Sequence, residues 1–349
     1  MNEEVKQRNR IAKRASVDIY LSGGNGRMYW PHRLQPVHDS TPSVRRKSCK
    51  YIIDSGFKPE SDNDADESDS ESEGLANRQL DDFGPEADGE DVSTEEAKET
   101  LHDEEVNQAL IDRAHERQPD YIIPNDSIHL SNSLDPADPG HREAIENTAE
   151  IVDHFLDLID EHRFPATVII PLQPPHDLHY AYLHEHYPEQ ANRGHFALGG
   201  MKDFPPDDQL DCVRAFRRIA GYDAYVHGFG MGASREVILA LRDEPELLDS
   251  VDFSTVQQHA NNAKFAGPSR KPVHVGRSMG AESATTTGSM LAAELTDICR
   301  MLSPSLTSED DIEPSWDKLP FKGPEEDNSP TKDRTPNDDQ SGLTTFNTT

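Results

Sequence analysis

Short apolar runs alternate along the chain with longer stretches in which apolar residues recur every three or four positions. The runs occupy residues 17–21, 51–53, 120–124, 166–172, 195–198, 224–229, 248–253 and, more weakly, 272–275. The longer stretches cover residues 141–162, 206–221, 234–245 and 282–302. The short runs predict strands, and the spacing of three and four predicts amphipathic helices.

About eight strands that alternate with helices predict an α/β protein whose strands form a (β/α)8 barrel, similar to a TIM barrel. Strands that are apolar throughout are typical of a parallel sheet covered on both faces. The alternative is an open, doubly wound sheet. That fold often carries a G-x-G-x-x-G pattern after its first strand, where this chain has SGGNGR at residues 22–27, only a partial likeness. The barrel is therefore the preferred prediction.

Two polar segments interrupt the alternation. Residues 58–95 are rich in Asp, Glu and Ser, and residues 304–349 are rich in Pro, Asp, Ser and Thr. Neither segment has enough apolar surface to offset the entropy lost on ordering, so both are predicted to be disordered. The prediction is a single barrel domain formed by residues 1–57 and 96–303, with an acidic insert and a polar tail.

The chain is strongly acidic, with 66 acidic and 34 basic residues among 349 and a formal net charge of −32. Such a charge ordinarily repels nucleic acid. An acidic surface along the whole chain is also typical of proteins that work in concentrated salt, where the Debye length falls to about 3 Å at 1 M. The composition therefore predicts a halophilic protein, and under those conditions the net charge does not exclude a nucleic-acid partner.

The three cysteines, Cys49, Cys212 and Cys299, are far apart and form no metal-binding or disulfide pattern, which favours a reducing cytoplasm. No apolar run approaches the roughly 20 residues that a membrane span needs. Residues 1–16 have no apolar signal core. We therefore expect a cytoplasmic protein that does not associate with membranes.

Polar residues and glycines follow the apolar runs where the predicted strands end. They are Asp54, Asn125, Asp126, Gln173, Gly199, Gly200, His227, Gly228, Gly230 and Asp252. Each has a structural explanation by itself, because an Asp after a strand often caps the next helix and a Gly often makes a turn. In a barrel, however, the C-terminal ends of all strands meet at the face that carries the active site. Together these residues predict a site.

Carboxylates at such a face can perform a double displacement. One attacks a sugar carbon and forms a covalent intermediate, while another gives and takes the proton of the leaving group. A third carboxylate can accept two N–H groups, and a carboxamide can donate to a carbonyl oxygen. Guanine presents this edge, with N1–H and a 2-amino group as donors and O6 as acceptor. Glycines allow the backbone to approach a flat ring closely.

Five segments resemble, in order, motifs of the queuine/archaeosine tRNA-guanine transglycosylase superfamily. They are YIIDSGF, PDYIIPNDSI, VIIPLQ, ALGGMKDFP and YVHGFGMGASREVILALRDEPELLDSVDFST, within residues 50–255. The resemblance implies a (β/α)8 barrel that exchanges guanine for a 7-deazaguanine base. It implies Asp252 as nucleophile on the sugar C1′ and Asp54 as general acid and base. The implied base-contacting positions are Asp126, Gln173, Gly199, Gly200, Met201, His227 and Gly228.

Departures from the family pattern change the expected substrate. Members that act on tRNA carry a CxCxxC…His zinc site after the nucleophile. Residues 256–302 of this chain contain a single cysteine, Cys299, so we expect neither zinc nor another cofactor. Phe57 replaces the second glycine of the DSGG motif, and we expect no further RNA-binding domain. These features resemble the branch that inserts 7-deazaguanines into DNA, as in a halophilic archaeon or its virus.

The expected partners are therefore DNA, a free base such as 7-cyano-7-deazaguanine, and an ATPase or helicase that opens the duplex. Three alternatives remain: the same exchange on tRNA, an inactive barrel that only binds nucleic acid or a partner enzyme, and a metal-dependent hydrolase.

Several charged residues have both a functional and an ordinary interpretation. Arg270, Lys271 and Arg277 are candidates for phosphate contacts or ordinary loop charges, as are the basic residues within 6–14 and 45–47. His227 is either a contact to base or phosphate or a hydrogen-bonded barrel residue. The four histidines of residues 174–190 fit no standard metal-binding helix, so a solvated helix face is favoured over a metal site.

Overall fold

The computed structural model describes residues 3–22, 28–38, 48–56, 94–129, 134–160, 163–202, 204–262, 264–274 and 284–305. Most of the predicted acidic insert and nearly all of the predicted tail lie outside these residues, and so do Arg277 and the basic residues at 45–47.

Among the described residues, nine parallel strands form a nearly closed barrel. They are β1 Asp18–Ser22, β2 His32–Pro36, β3 Lys50–Asp54, β4 Tyr121–Ile122, β5 Thr167–Val168, β6 Ile170–Leu172, β7 His195–Leu198, β8 Tyr225–Gly228 and β9 Ser250–Asp252. Their order is β5-β4-β3-β2-β1-β9-β8-β7-β6. β5 and β6 stand at opposite ends of this order although only Ile169 separates them in the chain. This one segment therefore brings the two edges of the sheet together.

Helices accompany the strands, as is typical of a mixed α/β protein. They are α1 Glu3–Ala12, α2 Thr94–Arg117, α3 Pro139–Leu158, α4 His176–His186, α5 Pro188–Ala191, α6 Pro206–Ala220, α7 Arg235–Asp243, α8 Ser254–Asn261 and α9 Ala284–Met301. Ser234 caps α7 as its sequence suggests, because its Oγ accepts the N–H of Val237 at 3.2 Å. The sequence pattern did not predict α2.

The weak run at 272–275 is not a barrel strand, contrary to the expectation. Its residues form β11 Val273–His274, which pairs antiparallel with β10 Lys264–Phe265 outside the barrel. The strand missing from the prediction is β2, which lies between β1 and β3. Its Arg33 and Gln35 are each only 1% exposed, so polar side chains occupy buried positions and hide the apolar signal of a strand.

The barrel interior is filled by alternate residues of the strands, because side chains of a strand point to opposite faces in turn. The buried residues of this inner cluster are Tyr20, Leu34, Ile52, Ile123, Ile169 and Ala197. Two residues further along three of these strands lie Ser22, Asp54 and Gly199. The two-residue period puts them on the interior side, at the C-terminal mouth of the barrel.

Candidate active site

Asp54 is the last residue of β3, and only 5% of its surface is exposed. Its Oδ1 has no hydrogen-bond partner among the described residues. Burial raises the pKa of Asp54 to about 8, and repulsion by Asp252 and then Asp126 contributes to the increase. With this pKa most of Asp54 carries a proton at neutral pH, and the neighbouring carboxyl groups of Asp252 and Asp126 disfavour its ionisation.

Asp252 ends β9 and is 3% exposed. Its two carboxylate oxygens accept hydrogen bonds from different elements. The Oγ–H of Ser22 at the end of β1 donates to Oδ2 at 2.6 Å, and the N–H of Gly230 after β8 donates to Oδ1 at 2.6 Å. These bonds fix the orientation of the side chain and stabilise its negative charge.

Asp126 and Gln173 form a buried pair at the mouth, and their role as contacts to a base stays a prediction. The Gln173 Nε2–H donates to Asp126 Oδ2 at 2.5 Å, and the residues are 1% and 5% exposed respectively. Gln173 Oε1 has no hydrogen-bond partner among the described residues. Because a buried acceptor is costly when it stays unpaired, this oxygen is suited to receive a donor from a ligand.

Two buried histidines of α4 contact the backbone of Gln173 and of Gly199. The Gln173 N–H donates to His179 Nδ1 at 2.8 Å, and His176 Nε2 lies 2.9 Å from the carbonyl oxygen of Gly199. Burial lowers the pKa of His176 to about 4 and that of His179 to about 3, so both rings are neutral. His184 and His186, in contrast, are exposed. The prediction of a solvated helix face is therefore confirmed for His184 and His186 and is wrong for His176 and His179.

The glycines of the mouth differ in what they require. Gly200 has φ 71°, and a Cβ there would lie 2.6 Å from the ring of Pro174, so the position needs glycine. A Cβ at Gly228 would lie 2.5 Å from the sulfur of Met231, whose flexible side chain would have to shift. The Gly199 N–H already donates to the carbonyl oxygen of Leu172 at 3.0 Å. Backbone contacts from these residues to a base stay a prediction.

Met201 and His227 are both fully buried, with 0% exposed surface. Met201 belongs to the large hydrophobic core between strands and helices. His227 lies beneath Asp252, with its Nε2 3.6 Å from Asp252 Oδ1 and its Nδ1 2.8 Å from Ser250 Oγ. Its immediate neighbour is thus the predicted nucleophile, which agrees with the interpretation as a hydrogen-bonded barrel histidine.

Arg270 is not presented to a phosphate. Its side chain is 3% exposed, and its Nη2 atom pairs with Glu294 Oε1 at 2.8 Å. Its Nε donates to the carbonyl oxygen of Ala233 at 2.8 Å. The guanidinium is therefore committed to the loop and to α9, which supports the ordinary interpretation. Lys271 is exposed and stays a candidate.

Ser22 is a site residue that the sequence analysis missed, although the signal that marks the other residues also marks it. It directly follows the first apolar run, 17–21, as Asp54 follows the second. Ser250 and Tyr225 have no comparable signal, because they begin β9 and β8 and do not follow an apolar run. Their two-residue spacing from Asp252 and His227 puts each on the same strand face as its partner.

The arrangement supports acid–base chemistry coupled to nucleophilic attack. Asp54 is a buried proton donor, whereas Asp252 is a carboxylate held by two donors at the same mouth. Two carboxyl groups in such different surroundings are suited to separate roles, one as proton donor and the other as nucleophile. The Asp126–Gln173 pair supplies further buried polar atoms at the same mouth.

Among the described residues, no group of three or more His, Cys, Asp or Glu side chains is arranged to hold a metal ion. Within the same part of the chain, no helix combines the length and apolar character needed to cross a bilayer. No protein-family model matches the chain, and the comparison with curated proteins found no significant match. The resemblance to the transglycosylases therefore rests on the motif residues themselves.

Proposed function

We propose that this protein is a guanine transglycosylase that replaces guanine in DNA by a 7-deazaguanine base. The observation that carries the proposal is the pair formed by the protonated, buried Asp54 and the hydrogen-bonded carboxylate of Asp252. We further propose that the barrel is a (β/α)8 barrel in which β5 and β6 count as one strand interrupted at Ile169.

The first half of the reaction begins when an oxygen of Asp252 attacks C1′ of the target nucleotide. A C–O bond forms, the C1′–N9 bond breaks, and its electron pair leaves with the purine. The purine takes the proton of Asp54 and departs as neutral guanine. Asp252 is then linked to the sugar as an ester, and Asp54 is a carboxylate.

The second half reverses these roles. The incoming 7-deazaguanine loses its N9 proton to Asp54, and N9 attacks C1′ as the ester bond to Asp252 breaks. Both carboxyl groups return to their starting states. Two inversions at C1′ leave the β-linkage of the nucleotide unchanged.

The Asp126–Gln173 pair supports a purine substrate with donors on one edge. In this role, oxygens of Asp126 accept N1–H and the 2-amino group, and Gln173 supplies the remaining polar contacts. In duplex DNA the nucleotide must first leave the stack, which costs a few kcal/mol. An ATPase or helicase that opens the duplex is the partner class that would meet this cost.

A base-exchange assay in molar KCl tests the proposal. DNA and tRNA are offered separately with 7-cyano-7-deazaguanine, and released nucleosides are identified by mass spectrometry. We expect modified nucleoside in DNA, and we expect its loss in Asp252→Asn and in Asp54→Asn. The exposed Asp157 of α3 provides the matched control, because Asp157→Asn makes the same chemical change far from the mouth.

Product in tRNA alone would retain the chemistry and replace the substrate. Absence of product in both nucleic acids, together with absence of a covalent sugar adduct in intact-protein mass spectrometry, would refute the proposal. Turnover that needs an added divalent ion would point instead to a metal-dependent barrel enzyme.

A further inference from the structure

We propose that His227 is a positioning residue for Asp252, held in one tautomer by hydrogen bonds that run through Ser250 to Tyr225. The inference rests on the proposed function, in which Asp252 is the nucleophile. It assigns a role to three residues that lie below the mouth.

The hydrogen bonds run across two neighbouring strands. The Tyr225 hydroxyl of β8 lies 2.7 Å from Ser250 Oγ of β9, and Ser250 Oγ lies 2.8 Å from Nδ1 of His227 in β8. On the other side of the ring, Nε2 is 3.6 Å from Asp252 Oδ1. His227 and Ser250 are both 0% exposed, so water does not compete for these groups.

The position of the protons follows from the acceptor at one end. Asp252 Oδ1 is a carboxylate oxygen, and an imidazole lone pair directed at it would be repelled, so the ring proton belongs on Nε2. Nδ1 then accepts the Ser250 O–H, and Ser250 Oγ accepts the O–H of Tyr225. Every donor points toward Asp252, which gives one consistent arrangement.

The ring itself is held by packing. Tyr20 meets His227 edge to face, with ring centroids 5.7 Å apart and planes at 89°. The Nε2–Oδ1 distance of 3.6 Å is longer than a hydrogen bond. Catalytic hydrogen bonds are often long in the free enzyme and shorten when substrate binds. We therefore assign His227 the task of keeping Asp252 aligned as it attacks C1′.

Nuclear magnetic resonance tests the tautomer without any turnover. In long-range 1H–15N correlation spectra at pH 7, His227 should show a protonated Nε2 and an unprotonated Nδ1. Because the protein has 16 histidines, a comparison with the spectrum of the His227→Gln variant identifies the resonances of His227. The Tyr225→Phe variant lacks the O–H that donates to Ser250, so the His227 resonances should broaden or shift. A protonated Nδ1, alone or in an imidazolium, would overturn the inference.

Activity provides the second readout. Gln places an N–H donor near the position of His Nε2, whereas Leu removes it. We expect His227→Leu to lower kcat by about 10- to 100-fold, the range for loss of one hydrogen bond to a charged group, with KM nearly unchanged. His227→Gln should retain most of the activity. Equal losses in both variants, or no loss in either, would refute a donor role.

The two readouts distinguish failure of the inference from failure of the proposed function. A protonated Nε2 in a protein that exchanges no base would refute the transglycosylase and leave the hydrogen bonds through Ser250 intact. A protonated Nδ1 in a protein that exchanges guanine would refute the positioning role alone.

Discussion

Replacing Asp54 by Asn should stabilise the folded protein at neutral pH and abolish base exchange. The carboxyl group has a reference pKa of 3.8 and a pKa of about 8 in the fold, because it is buried beside Asp252 and Asp126. Between these values the folded state keeps a proton that the unfolded state has released. The folded state therefore binds more protons, and stability falls as the pH rises through this window.

The magnitude follows from the two pKa values. At about 1.4 kcal/mol per pKa unit, this group lowers the free energy of unfolding by roughly 4 kcal/mol between pH 4 and pH 7. The carboxamide of the Asp54→Asn variant carries no charge at any pH in this range, so the variant lacks this slope. We expect the variant to equal the wild type near pH 4 and to exceed it increasingly toward pH 8.

Urea denaturation followed by circular dichroism at pH 4 to 8 measures this difference. Asp252→Asn should flatten the wild-type slope, since it removes one of the charges that raises the pKa of Asp54. Asp157→Asn, at an exposed position, should leave the slope unchanged. A difference between wild type and Asp54→Asn that is constant across the pH range would refute the reasoning, because the ionisation of Asp54 would then not be linked to folding.

Three further predictions concern the acid Asp54, the glycines of the mouth and the ion pair between Arg270 and Glu294. The exchange rate kcat/KM should fall above about pH 8, as Asp54 loses the proton it must donate, and a pH–rate profile that stays flat to pH 10 would contradict its role as acid. Gly200→Ala should cost about 1–3 kcal/mol in thermal unfolding because φ is 71°, whereas Gly199→Ala, with only ordinary contacts, should be nearly neutral. Equal shifts at both glycines would argue against backbone strain. Glu294→Ala should destabilise the protein by about 3–5 kcal/mol, since it leaves Arg270 buried without its charge partner, and an unchanged melting temperature would show that the ion pair is dispensable.

The strands that lead to Asp54, Gly199 and Asp252 were predictable because their signal is local. A continuous apolar run with a polar residue or glycine at its end describes a buried parallel strand that reaches the mouth. All the stronger runs contain a barrel strand. The rule did not predict β2, because this strand contains the polar residues Arg33 and Gln35. They are buried only in the folded protein, which a short window of sequence does not show.

The charged residues show the limit of the same approach. Arg270 and Lys271 are neighbours with the same charge, and sequence patterns treat them alike. In the fold, Arg270 is buried against Glu294, 24 residues away, whereas Lys271 faces solvent. The packing of α9 against the loop after β10 therefore identifies Arg270 as a structural residue and leaves Lys271 as a candidate phosphate contact.

The sequence by itself determined that polar groups meet at one end of a parallel α/β barrel, since strand ends and side-chain periodicity are local properties of the chain. The tertiary structure decided what each group can do there. Ser22 reaches Asp252 across 230 positions of sequence, and the pKa of Asp54 depends on burial and on two carboxylates from other strands. Desolvation and through-space charge act over distances in the folded molecule and not along the chain, so they become defined only when the barrel closes.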